Sequence, residues 1–367
     1  METLQVLAVS DPAVNAYVEK NLLDGYEGRV TMEIVPWESY FNTMMDAFKG
    51  RAAYDIVMVA GHLWKRDFIE KGYLTKIEYV TEDNLTMIDN EMKWRGAHYL
   101  APAFCDGHMI VYRKSLVREV LGELPGISIT PEEYVIIAKK LALAGYPIAM
   151  KAAPSEIFTD ALPFLRRKGI DVYDATGHIQ CEKQEIIDGL NLYLELKRAA
   201  IGGTHTFGNE EIEQLLQKKE VPMAVTWSGQ MGCVMNKACI EPEDMGFATF
   251  TTAWNVTWSF AVCETSTKKE EAFRFLSYLN SEEIDWRAGM QSGAPVKRAS
   301  YERGLRIYPW YLCQMNMFER ARPLPDICLA GEKNGILYEK ITSAFRGEKT
   351  AAQAMQEAQR EIEKLEE

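Results

Sequence analysis

Short apolar segments alternate with amphipathic stretches along the first third of the chain. This pattern predicts strands at residues 4–9, 30–35 and 56–59, and helices near residues 14–23 and 40–48. Alternation of this kind is typical of an α/β fold with a mainly parallel sheet. Ligands of open α/β sheets meet the loops at the carboxyl ends of the strands. We therefore expect binding residues in the loops that begin at Ser10, Pro36 and Ala60.

A second α/β domain is predicted from the pattern further along the chain. Thr130 is placed as the N-cap of a helix through residue 143, with Pro131 at its first position and Glu133 completing a capping box. We predict further helices at 209–218 and 268–280, and strands at 222–226, 245–250 and 258–263. From residue 351, apolar residues recur at three- and four-residue spacing, which predicts a terminal helix packed on its own domain.

Residues 97–117 form a long apolar segment with Asp106 and Gly107 at its centre. The segment runs directly into Tyr-Arg-Lys-Ser-Leu at residues 112–116. We interpret it as a crossover between two domains. The chain length of 367 residues also favours two domains.

Composition and charge exclude several classes of protein. The formal net charge of −12 repels phosphate backbones, so we expect no nucleic-acid partner. Apolar runs stay shorter than a membrane span, and residue 1 leads almost directly into the first strand, so a leader was either removed or never present. The seven cysteines are odd in number and contain no Cys-x-x-Cys, so we expect reduced thiols. That usage fits a cytoplasmic protein or one exported into an anaerobic setting.

Several blocks of the sequence are informative when they are taken in order. The first pairs Tyr-Asp-Ile-Val at 54–57 with Phe-Ile-Glu-Lys-Gly-Tyr-Leu at 68–74, and the second is the segment at 112–116. The others are Val-Pro-Met-Ala-Val-Thr-Trp at 221–227, Lys-Glu-Glu-Ala-Phe-Arg-Phe-Leu at 269–276 and Gly-Ala-Pro-Val-Lys at 293–297. In this order the blocks resemble the extracellular solute-binding proteins, family 1, which include the maltose-binding-protein-like receptors of ABC importers. The sequence departs from the family pattern in two respects. Thr257 and Trp258 stand where the family commonly has a glycine pair, and no lipid-attachment cysteine precedes the fold.

The resemblance implies a two-lobed, periplasmic-binding-protein-like α/β fold of type II. Each lobe is then a mixed, mainly parallel sheet flanked by helices, and several hinge crossings join the lobes. An N-terminal lobe of residues 1–108 and 258–297 and a C-terminal lobe of residues 109–257 and 298–367 then enclose a ligand cleft. The chain crosses near 106–109, 257–259 and 295–300, which act as hinges. The implied function is a monomeric, extracellular or periplasmic receptor that captures a carbohydrate by lobe closure and delivers it to the membrane permease of an ABC importer. A lipid anchor on a removed leader would attach it to the membrane.

Sugar rings present an apolar face and a fringe of hydroxyls, so a sugar site needs aromatic planes with hydrogen-bonding groups beside them. Asp106 has an equally favoured alternative role, as the turn residue before Gly107, and any single tryptophan can instead be core packing. We expect Trp94, Trp286 and Trp310 to be structural. The candidate ligand-binding residues are Asp11, Trp37, Tyr40, His62, Trp64, Asp106, Trp227, Trp254, Asn255 and Trp258.

Neither a cofactor, a metal site nor a catalytic centre is predicted. The five histidines lack zinc-binding spacing, and the chain has no phosphate-binding loop and no Gly-x-Ser-x-Gly turn. Two alternatives stay open: a receptor of the same fold for a charged solute, or a sensor or enzyme on the two-lobed scaffold. A cation would need convergent carboxylates, and an anion would need arginines such as Arg113, Arg320 and Arg322.

Overall fold

The chain forms an α/β structure, as the sequence predicts, in a computed structural model that describes residues 2–78 and 83–365. It divides into two compact units, and each unit is assembled from separate stretches of chain. Unit 1 comprises Met1–Asp106, Met231–Cys233 and Val256–Tyr308. Unit 2 comprises Gly107–Gln230, Val234–Asn255 and Pro309–Glu367. The lobe boundaries expected from the sequence, and their movement as separate bodies, stay predictions.

The first hundred residues supply most of the unit 1 sheet. Their elements are β1 (Leu4–Val9), α1 (Pro12–Glu19), β2 (Val30–Val35), α2 (Trp37–Phe48), β3 (Ile56–Ala60), α3 (Gly61–Glu70), α4 (Thr86–Glu91), β4 (Lys93–Trp94) and β5 (Ala97–His98). Strand β1 pairs in parallel with both β2 and β3, as the alternation predicts. Every residue of β3 is buried, which suits a central strand covered on both faces. The short strands β4 and β5 form a separate antiparallel ribbon.

The middle of the chain builds the unit 2 sheet. The elements of this part of the chain are β6 (Ala101–Arg113), α5 (Lys114–Leu121), β7 (Ser128–Ile129), α6 (Pro131–Leu143), α7 (Ile157–Leu165), α8 (Gln184–Glu195), α9 (Asn209–Gln217), β8 (Met223–Trp227), α10 (Met231–Val234) and β9 (Met245–Phe250). Most of α10 belongs to unit 1. Strand β6 carries the chain from unit 1 into unit 2, between Asp106 and Gly107. Beyond that point β6 pairs antiparallel with β8 and β9, and β7 adds to β9 in parallel.

The last third of the chain returns to unit 1 and then completes unit 2 with helices. Its elements are β10 (Asn255–Val262), α11 (Lys269–Leu279), α12 (Glu282–Ser292), α13 (Arg298–Gly304), α14 (Tyr311–Arg320), α15 (Ala330–Arg346) and α16 (Ala351–Glu363). Strand β10 pairs antiparallel with β3 in unit 1, so that sheet is mixed. The alternating sequence by itself indicates only its parallel part.

Local sequence signals account for several helix starts. The Thr130 hydroxyl accepts a hydrogen bond from the Glu133 backbone N–H, and the Glu133 carboxylate accepts one from the Thr130 N–H, which is the capping box that the sequence predicts. Helix α2 begins at Trp37 because Pro36 takes the N-cap position with extended backbone. Trp37 therefore lies in the first turn of a helix, whereas the sequence places it in a loop.

A buried carboxylate fixes the chain between α12 and α13. Asp285 accepts hydrogen bonds from the backbone N–H groups of Val296 and Lys297 at 2.8 and 3.2 Å, and from the Ser300 hydroxyl at 2.5 Å. These contacts hold residues 296–300 within unit 1, and the chain passes into unit 2 at Tyr308 and Pro309. That passage lies later in the sequence than the expected crossing at 295–300.

No helix among the described residues is long and apolar enough to cross a membrane.

Candidate functional site

Three tryptophans of unit 1 pack together near the carboxyl ends of β2 and β3. Trp37 stacks on Trp64 with ring centroids 5.7 Å apart and planes 19° from parallel. The edge of Trp258, from β10, meets Trp37 at 5.8 Å and 85°. Trp37 remains 43% exposed, while Trp64 is buried beneath it. Trp37 is therefore the most exposed ring of the cluster, with Trp258 half-buried and Trp64 buried.

Tyr40, expected beside these rings as a ligand residue, belongs to the core of unit 1. Its ring has no exposed surface. The hydroxyl donates to the Met58 carbonyl at 2.5 Å and accepts from the Met58 N–H at 2.7 Å. Both hydrogen-bonding roles are thus occupied by the backbone of β3. We leave Tyr40 out of the proposed site.

Asp11 and Asp106 form an acidic pair in unit 1. Asp11 caps α1, and its carboxylate accepts the Ala13 N–H at 2.9 Å. Burial, together with the negative charge of Asp106, raises the pKa of Asp11 to about 8. Asp106 is 5% exposed, on β6 at the boundary of the unit. The Asp11 carboxyl therefore ionises less readily than an ordinary aspartate, so it carries less negative charge near neutral pH.

His62 lies in the first turn of α3, directly after β3. Burial lowers the pKa of His62 to about 3 because the cationic form loses its hydration. The imidazole is therefore neutral throughout the physiological range. A neutral imidazole offers one donor and one acceptor without a net charge.

In unit 2, Trp227 stands at the end of β8 and is held by two charged residues. Its indole N–H donates to the Glu156 carboxylate at 3.0 Å. The ammonium of Lys151 lies 4.4 Å from the centre of the Trp227 ring and 3.2 Å from the same carboxylate. Lys151 is fully buried, so the ion pair compensates for its lost hydration. Trp227 itself is half-buried.

Trp254 and His108 complete the aromatic group around Trp227. The ring of Trp254 meets Trp227 edge-on at 5.2 Å, and its N–H donates to Nδ1 of His108 at 3.3 Å. The His108 ring lies 4.2 Å from that of Trp227. Trp254 is buried, as is the next residue, Asn255, which begins β10. We call Trp227, Trp254, His108, Lys151 and Glu156 the unit 2 cluster.

Sequence reasoning missed three members of the unit 2 cluster: His108, Lys151 and Glu156. Lys151 directly follows an apolar segment, residues 148–150, whose first residue forms a parallel bridge with Ala200. The signal for Lys151 is its place directly after an extended apolar segment, because ligand contacts in α/β folds concentrate at strand ends. His108 offers a weaker signal, because one histidine in an apolar strand is commonly a core residue.

Arg113, which the sequence leaves open for an anionic ligand, has a structural role. Its buried guanidinium donates to the carbonyls of Ile240 at 2.6 Å and Glu241 at 3.0 Å, and also to that of Gln217 at 3.2 Å. It thereby caps the end of α9. Among residues 2–78 and 83–365, no group of three or more His, Cys, Asp or Glu side chains is arranged to hold a metal ion.

The chain is similar to solved solute-binding proteins over nearly its whole length. The maltose-bound MalE3 of T. maritima matches with a TM-score of 0.85 and 17% identity, covering 99% of each chain. The GacH receptor of Streptomyces glaucescens GLA.O, studied with acarbose, matches with a TM-score of 0.85 and 16% identity, over 99% of this chain and 98% of that one. An ABC transporter solute-binding protein of Agrobacterium vitis S4 with bound D-mannitol gives 0.83 and 18%, over 99% and 98%.

These likenesses confirm the two-lobed solute-binding fold expected from the sequence. The sequence profile of bacterial extracellular solute-binding proteins matches residues 10–285. That stretch includes the unit 1 tryptophans and the unit 2 cluster. The family and the fold are those of receptors that bind solutes without transforming them. The chain therefore belongs to the bacterial extracellular solute-binding protein family.

Proposed function

We propose that the protein is a carbohydrate receptor of an ABC importer. The observation that carries the proposal is that each unit places tryptophan rings beside hydrogen-bonding side chains near the ends of its strands. Aromatic rings pack against the apolar face of a sugar, and the neighbouring polar groups bind its hydroxyls. The sugar- and polyol-bound proteins of the same fold support this choice of ligand class.

The electrostatics of the two clusters favour a ligand without net charge. The raised pKa of Asp11 reduces its negative charge near neutral pH, which weakens its attraction for a cation. In unit 2 the positive charge of Lys151 is balanced by Glu156. The two terminal nitrogens of Arg113 donate to backbone carbonyls, and the side chain is fully buried. A polyhydroxylated neutral solute fits these groups better than a polyamine or an organic anion does.

A thermal-shift screen tests the ligand class directly. The panel contains maltose, longer oligosaccharides, monosaccharides and D-mannitol, with spermidine and citrate as charged comparisons. A ligand that binds only the folded protein raises its stability by RT ln(1 + [L]/Kd), about 2.7 kcal/mol at a hundredfold excess over Kd. We expect stabilisation by a neutral sugar or polyol. A shift with spermidine or citrate alone would instead identify a receptor for a charged solute.

We propose that the receptor works as a monomer outside the cytoplasm, that its lobes close on the ligand, and that a permease recognises the loaded form. We also propose that it leaves its ligand chemically unchanged. Chromatography of the stabilising sugar after prolonged incubation should recover it intact, whereas conversion to products would identify an enzyme on this scaffold.

A further inference from the structure

His108 is a buried histidine whose tautomer is set by its neighbour. An indole N–H can only donate, so the contact from Trp254 makes Nδ1 of His108 an acceptor. A neutral imidazole that accepts at Nδ1 carries its proton at Nε2. Burial and the nearby positive charge of Lys151 hold the pKa of His108 well below its ordinary value. His108 is therefore an uncharged donor through Nε2.

This donor has no acceptor among the described residues. His108 is only 2% exposed, and its Nε2 atom is buried without a hydrogen-bond partner. Buried polar groups are nearly always paired in folded proteins, and unpaired ones mark strained or functional positions. In the antiparallel pairing of β6 with β8, His108 lies directly opposite Trp227. Paired residues of neighbouring strands place their side chains on the same face of the sheet.

We propose that His108 is a ligand-binding residue that donates its Nε2–H to a hydroxyl or ether oxygen of the bound sugar. The inference rests on the proposed carbohydrate function and adds a specific contact to it. An oxygen with a lone pair satisfies the buried donor, whereas an ammonium group has no lone pair and would leave Nε2–H unpaired. At this position the receptor therefore selects a hydroxyl or ether oxygen and rejects the protonated amine of an amino sugar.

Two substitutions separate the donor at Nε2 from the acceptor at Nδ1. In H108N the amide oxygen replaces Nδ1 as acceptor for Trp254, and nothing replaces Nε2. In H108Q the amide N–H reaches the position of Nε2, and the acceptor is lost. H178N is the matched control, since the His178 side chain is 72% exposed in unit 2.

Calorimetry with maltose and with D-mannitol at pH 7.5, followed by the most stabilising sugar of the panel, gives the affinities. We expect H108N to bind about tenfold or more weakly, H108Q to keep most of its affinity, and H178N to match the wild type. Equal binding by H108N and the wild type would overturn the inference. Equal losses in H108N and H108Q would overturn it too, because the ring or its acceptor would then be the important feature.

A ligand-free measurement checks the donor independently. In nitrogen-15 spectra of the histidine side chains, His108 should be neutral and protonated at Nε2 from pH 5.5 to 8, with H108N identifying the signal. Protonation at Nδ1, or titration within that range, would reject the assignment while leaving the carbohydrate proposal intact. Conversely, a wild-type protein that binds no sugar or polyol of the panel would overturn both.

Discussion

Trp227 illustrates how a single side chain is prepared for binding in this structure. The Glu156 carboxylate accepts a hydrogen bond from the Trp227 indole N–H, and the Lys151 ammonium lies over the Trp227 ring. The two charges also pair with each other at 3.2 Å. Orientation by such fixed partners reduces the rotamer entropy that is lost when a ligand packs against the ring.

We predict that Trp227→Ala weakens sugar binding by about tenfold or more, because an aromatic contact contributes on the order of 1–2 kcal/mol and the cluster loses its central ring. Calorimetry with the most stabilising sugar measures the change. Trp94→Ala is the control, since Trp94 is also half-buried and also lies near a cation, Arg66 at 5.5 Å, but has no expected ligand contact. Unchanged affinity in W227A would remove this residue from the site.

Asp11 provides a prediction of pH dependence. Its pKa is about 8 in the folded protein against 3.8 for the ordinary side chain. Between these values the folded state holds a proton that the unfolded state has released, so the free energy of unfolding decreases as the pH rises. Asp11→Asn keeps an acceptor for the Ala13 N–H and removes the ionisation. The melting temperature of D11N minus that of the wild type should therefore increase from pH 5 to pH 8.

The exposed Asp24 supplies the control for this measurement. We expect the difference between D24N and the wild type to vary much less over the same range. A difference between D11N and the wild type that stays constant from pH 5 to pH 8 would contradict the raised pKa of Asp11.

At the level of elements, the segment between α12 and α13 depends on one carboxylate. Asp285 accepts two backbone N–H groups and the Ser300 hydroxyl with its two oxygens. We predict that Asp285→Asn lowers the free energy of unfolding by about 1–3 kcal/mol, because the amide presents an N–H to a buried donor. Denaturant melts measure the loss. The control is Glu282→Gln, at the exposed start of α12, which should change stability little. Equal stability of the two variants would contradict the structural role of Asp285.

For the whole molecule, we predict that a bound sugar lowers the radius of gyration measured by small-angle scattering. A ligand shifts a conformational equilibrium only by its difference in affinity for the two states, and about 5.5 kcal/mol moves it from 1:99 to 99:1. The charged compound that fails the thermal-shift screen serves as the control. Identical curves with and without saturating sugar would contradict capture by lobe closure, unless the sugar-free curve already matches a closed molecule.

The cysteines give a second prediction for the whole molecule. Burial raises the pKa of the Cys263 and Cys313 thiols to about 12 and also raises that of Cys181, so these groups should react slowly while the protein is folded. After denaturation without reductant, we expect a thiol reagent to titrate all seven cysteines. Recovery of one thiol would indicate three disulfides.

Local patterns in the sequence determine the order of the elements and their class. Strands β1, β2 and β9 lie at the predicted residues because each is a short apolar segment between turns. The capping box at Thr130 likewise involves neighbours three residues apart. Such signals depend on residues close together in the chain, so they are readable before the fold is known.

The roles of individual site candidates were decided only by tertiary contacts. Trp227 meets Glu156 across 71 residues, and Trp254 meets His108 across 146. Tyr40 enters the core because the backbone of β3 accepts and donates at its hydroxyl, whereas Trp37, three residues earlier, remains exposed. Burial and charge pairing depend on which distant segments meet. The sequence could therefore name aromatic candidates, while the structure alone decided which of them pack in the core and which polar groups accompany the others.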